Sequence, residues 1–231
     1  MIGEPIPYSL STDNLLLLLY LANILGVAYV FIVNGANIAD RTKSLFYYSN
    51  QSNPYNTRAG ISRLCSFILN FQIIFFLSII TFNYLLFNRE ETVNRVSHIY
   101  FLSFAALFTL FLLVKRIMYD VVNLILFTAK LAKEWRDSYF FTIKLTGFLL
   151  FPLVTAIIFK ANLSEGVYWI YLLFVAIIYL YMLSVRGLNI IFVEKLRWFE
   201  IFLYLCAIEL LPIGILCKTI AETISFLTIK L

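Results

Sequence analysis

Long stretches almost free of charge recur along this chain, each close to 20 residues, and they constrain its fold more than any other feature. About 20 apolar residues carry a helix across the hydrocarbon core of a bilayer. By that measure the spans fall at about 14–34, 61–87, 97–115, 139–160, 166–185 and 199–218, with runs such as Leu15-Leu16-Leu17-Leu18-Leu19 and Phe71-Gln72-Ile73-Ile74-Phe75-Phe76. In lipid the backbone must satisfy its own polar groups, and continuous apolar runs of this length do so as helices. The sequence therefore predicts an all-α polytopic membrane bundle of about six helices, with residues 1–231 forming one membrane domain. Composition closes off the soluble alternative: 62% of residues are hydrophobic and 13% charged, against about 45–50% and about 25% in soluble domains. With so little charge to cover a soluble surface, the net charge of +5 does not indicate nucleic-acid binding.

The segment 116–135 carries charge at both ends and Asp120 inside. It suits an amphipathic helix on the membrane surface or an extension of the third span. Met1 to Asn14 contains no Lys or Arg, so the basic start of a secretory signal is missing and the first apolar run is expected to stay as a span. Of the eighteen Lys and Arg, twelve fall in 35–63, 115–138 and 186–198, five fall on the opposite side, and Lys144 lies within the fourth span. The basic loops are expected to face the cytoplasm, which puts both termini outside.

Glu209 stands near the middle of the last expected span, where a carboxylate must face the bundle interior and be paired or neutral. Pro212 is expected to kink that span and free the carbonyl of Ile208, one residue from the acid, with Tyr204 and Cys206 on the preceding turns. Lys144 is the natural candidate partner, and its alternative is to reach back toward the interface. Glu209 is either a proton or cation site or a buried acid that fixes helix packing. Asn70, Gln72 and Asn83 in the second span suit polar contacts between helices. Arg41, Lys43, Arg58, Arg63, Lys130, Lys133 and Arg136 suit contacts with anionic lipid or a protein partner. The three cysteines lie in apolar stretches and His98 is the one histidine, so no metal site is expected. No cofactor-binding or catalytic motif is present, and no cofactor is expected.

The run Tyr204-Leu205-Cys206-Ala207-Ile208-Glu209-Leu210-Leu211-Pro212 resembles the C-terminal signature of a domain-of-unknown-function family of multi-pass inner-membrane proteins from Bacteroidota. The polar loop leading into Arg63, the basic segment after the third span and Lys144-Leu145-Thr146-Gly147-Phe148-Leu149-Leu150-Phe151-Pro152 are similar to the same family. The resemblance runs from about residue 40 to 220. It implies the inner membrane of a Gram-negative cell and carries no activity with it. The family tends to end soon after its proline-containing helix, whereas this chain continues to Leu231.

Short loops, one buried acid and many aromatic residues favour a non-enzymatic subunit of a larger envelope assembly, such as a secretion or motility motor or a lipid-linked glycan system. Its expected partners are the bilayer and other inner-membrane proteins. A small proton- or ion-coupled transporter using Glu209 is one alternative. A membrane enzyme, or an enzyme's partner, acting on a lipid phosphate is the other.

Overall fold

The computed structural model describes residues 13–46, 62–88, 97–126, 129–159, 164–194, Glu209 and 211–230. Their regular structure is entirely helical: α1 (Asn14–Phe46), α2 (Arg63–Asn88), α3 (Ser97–Leu126), α4 (Ala129–Phe159), α5 (Glu165–Glu194) and α6 (Leu211–Lys230). Five of these are long and apolar enough to cross a membrane, over Asn14–Lys43, Arg63–Leu86, His98–Val121, Trp135–Phe159 and Glu165–Val185. The chain is a multi-pass helical membrane bundle.

Local sequence explains the helix starts. Asp13 caps α1, its Oδ1 accepting from the amides of Leu15 at 3.0 Å and Leu16 at 3.4 Å. Ser62 caps α2 through the amide of Cys65. Hydroxyl side chains within the helices turn back onto the carbonyl four residues earlier, as Ser78 does to Ile74 and Thr155 to Phe151. A hydroxyl can thereby sit in an apolar span without an unmet donor. Pro152 lies inside α4 and removes one helical donor. In the same turn the Tyr171 hydroxyl of α5 donates to the carbonyl of Leu149 at 2.6 Å.

The middle of the bundle is α2 and α4, about half buried along their crossing segments (50% and 56%), whereas 17–22% of the others is buried. The exposed faces of α1, α3 and α5 carry Ile32, Leu102 and Ile170, as a lipid-facing surface should. Against lipid, burying a side chain gains little by transfer, so cohesion comes from close packing and polar contacts between helices. Phe76, Phe82, Tyr100 and Phe104 are fully buried in the core. Gly26 lets α1 approach α2 so closely that a Cβ there would meet Ile68 at 3.0 Å. Tyr20 of α1 bonds Thr155 of α4 at 2.6 Å, and Tyr168 of α5 donates to the Ile80 carbonyl of α2 at 2.9 Å.

Asp13 and His98 come within 3.6 Å, which sets the starts of α1 and α3 at one end of the bundle. The ends of α1, α3 and α5 and the starts of α2 and α4 then share the opposite end, called here the basic end.

Several boundaries differ from those read off the sequence. The third crossing does not stop at residue 115 but continues to Val121, with Lys115 inside it. The stretch 116–135 is not one amphipathic helix: its first part prolongs α3 and its last part opens α4. The expected span 199–218 lies largely outside the described residues, and α6 begins only at Leu211. Pro212 is the second residue of that helix as described, and most of the turn before it, where the expected kink would fall, lies outside the described residues.

Candidate functional site

Four side chains from three helices converge on the carboxylate of Glu209. Lys115 of α3 donates to Oε2 at 2.7 Å. Tyr119, one turn further along α3, donates to Oε1 at 2.5 Å. Tyr139 of α4 and Tyr179 of α5 each approach Oε2 at 3.3 Å, and their hydroxyls lie 3.0 Å from each other. A carboxylate offers about four acceptor positions, and four donors meet this one. Lys115 and Glu209 are both almost fully buried, with side chains 3% and 7% exposed, so neither charge is left to lipid.

Helical spacing builds this site. Lys115 and Tyr119 are four residues apart and so lie on one face of α3. The Tyr119 ring stacks on Tyr139, with centroids 4.1 Å apart and planes 24° apart. The Lys115 ammonium lies 5.2 Å from the Tyr139 ring centroid and 5.6 Å from that of Phe111, so aromatic faces share its charge. The arrangement clamps the segment entering α6 onto α3, α4 and α5.

Lys144 is not the partner of Glu209. Its ammonium donates to the Ser66 hydroxyl of α2 at 2.6 Å, on the other side of α4. It lines a cavity of about 420 Å³ between α2, α3 and α4, together with Arg41, Arg116, Arg136 and Asn70. Arg136 binds Asp120, and Arg41 stands over the Phe141 ring at 5.8 Å. Gln72 is fully buried, yet its amide has no hydrogen-bond partner among the described residues, and the same holds for Asn23. Gly147 lies against Gln72, where an added Cβ would meet its amide carbon at 3.5 Å. Asn83 is half-buried, while Lys43, Arg63 and Lys133 are exposed. Lys130 belongs to the first turn of α4, and Pro212 is buried at the start of α6. Arg58, Tyr204 and Cys206 lie outside the described residues. No three His, Cys, Asp or Glu side chains gather as a metal site among the described residues.

Sequence reasoning missed Lys115, Tyr119, Tyr139 and Tyr179. Lys115 counts among the basic residues that orient the chain, and nothing in its immediate sequence sets it apart from Arg116. The usable signal was the need of one intramembrane acid for one intramembrane cation, with Tyr119 on the same helix face as Lys115.

The family described as a domain of unknown function, DUF4271, matches residues 15–220, and the chain belongs to it. Comparison with curated proteins and with solved structures gave no match.

Proposed function

We propose that this DUF4271 chain is a non-enzymatic subunit of a larger assembly in the cell envelope, joined to its partner through the outward face of α6. The observation that carries this reading is a charged pair. Lys218 and Glu222 lie 3.7 Å apart on α6 with side chains 78% and 68% exposed. The twenty residues of α6 span about 30 Å, the thickness of a hydrocarbon core. Lys218 and Glu222 are the eighth and twelfth of those twenty residues, near the middle of that length. Charges at such a depth normally face protein.

Leu211, Ile215, Lys218, Glu222 and Ser225 recur at spacings of four and three and are all exposed, which makes one continuous seam. Gly214 and Ala221 beside it are exposed as well and allow a partner backbone to come close. A second copy in the same membrane orientation would set Lys218 against Lys218 and Glu222 against Glu222 across a parallel seam. The favoured occupant is therefore a transmembrane helix of a different protein, with an acid opposite Lys218 and a base opposite Glu222. The proposed setting is the inner membrane of a Bacteroidota cell with both termini periplasmic, supported by the excess of Lys and Arg at the opposite end.

The test is a tagged purification from native membranes in mild detergent, with a photocrosslinker at Ile215. A stoichiometric partner, crosslinked through one of its transmembrane helices and lost in the Lys218→Leu/Glu222→Leu variant at unchanged protein level, supports the reading. A clean monomer or homo-oligomer from the wild-type chain overturns it and moves the weight to transport or lipid chemistry.

A further inference from the structure

We infer that the cavity between α2, α3 and α4 binds a phosphate group, carried into it by an anionic amphiphile. Among the described residues that line it, Arg41, Arg116, Arg136 and Lys144 are cationic and Asp137 alone is acidic. Arg136 is held by Asp120 and Asp137. No carboxylate among the described residues comes within ion-pair distance of Arg116 or Lys144. Cations in a membrane-embedded wall are costly without counter-charge. The Glu209 clamp on the other side of α3 and α4 shows the contrast, since Lys115 there has its acid. In the cavity Asp137 is the one acid against four cations among the described lining residues, and a ligand would supply the balance of negative charge.

The geometry of the wall says which kind of ligand. The Lys144 ammonium is held by Ser66, in the first turn of α2, so the charge stands toward the basic end, where a lipid phosphate group could enter. Further from the basic end the wall turns largely apolar through Phe67 and Ile74 of α2 and Leu112 and Leu113 of α3, with Asn70 and Thr109 as the polar exceptions. Cations at the mouth and hydrocarbon beneath match a phosphate head followed by a lipid tail, and about 420 Å³ accommodates the head and the first part of a chain. A free phosphate ion would use the mouth and leave the apolar wall without a role. This inference is independent of the α6 interface.

The experiment uses the full chain purified in a neutral detergent and native mass spectrometry with added phosphatidylglycerol, phosphatidic acid, phosphatidylcholine or inorganic phosphate. One anionic phospholipid per chain is expected, held at least tenfold more tightly than phosphatidylcholine. Arg116→Gln and Lys144→Gln are each expected to weaken it about tenfold. Arg116 is exposed, so its variant reports on binding even if Lys144→Gln fails to fold, and Lys144→Arg is expected to retain the lipid. Inorganic phosphate competing as strongly as the lipids would keep the phosphate site and make a soluble phosphate compound its source. Equal retention of phosphatidylcholine, or no loss in either cavity variant, overturns the inference.

Discussion

Lys115 and Glu209 are 94 residues apart in the chain and 2.7 Å apart in the folded bundle, each supplying the charge that makes the other tolerable in a membrane. Removing one partner of such a pair leaves an uncompensated buried charge, whereas removing both leaves none. Lys115→Met is therefore expected to destabilise the bundle by about 3–5 kcal/mol. The neutral Lys115→Met/Glu209→Gln double variant should recover most of that loss. Thermal unfolding of the two proteins in the same detergent reads the difference, and equal midpoints would show the pair to be uncoupled.

The three tyrosines should contribute unequally. Tyr119 donates to Oε1, whereas Tyr139 and Tyr179 share Oε2 with Lys115 at the longer distance of 3.3 Å. Tyr119→Phe is expected to cost about 1.5–3 kcal/mol, the range for a hydrogen bond to a charged group. Tyr139→Phe and Tyr179→Phe should each cost less. A ranking with Tyr179→Phe the worst, measured by the same unfolding assay, would contradict the geometry.

The charge-neutral double variant also separates two functional readings in cells. If Glu209 serves to seat α6, Lys115→Met/Glu209→Gln protein that inserts and accumulates normally should support the wild-type phenotype. Loss of the phenotype at normal protein level would assign Glu209 to proton or ion coupling instead.

Gln72 gives a prediction of opposite sign. Its amide is fully buried, without a hydrogen-bond partner among the described residues. Leucine has a similar bulk and no polar atoms, so Gln72→Leu should stabilise the bundle by about 1 kcal/mol or more. A lower unfolding midpoint for Gln72→Leu would mean that the amide has a partner in the native membrane.

The helices were legible because each depends on its own stretch of sequence: length, hydropathy and caps such as Asp13 are local properties. The boundary near residue 115 was less so. A buried Lys reads as the end of a span when its counter-charge lies elsewhere in the chain. The candidate site was legible in Glu209 alone. Lys115 and Arg116 are adjacent and chemically alike, yet the turn of α3 sends the first to an acid inside the bundle and the second to a cavity on its other side. Lys144 faces that same cavity for the same reason: it lies eight residues beyond Arg136 on α4, close to two turns and a quarter.

What the sequence determined by itself is that this chain lives in lipid as a bundle of long helices and must hide one acid among them, because composition and periodicity set the solvent. Which cation meets that acid, and which cations gather around a cavity on the other side of the same helices, only the tertiary structure decided. Those pairings depend on how helices from distant parts of the chain rotate and settle against one another, and no local stretch of sequence encodes that rotation.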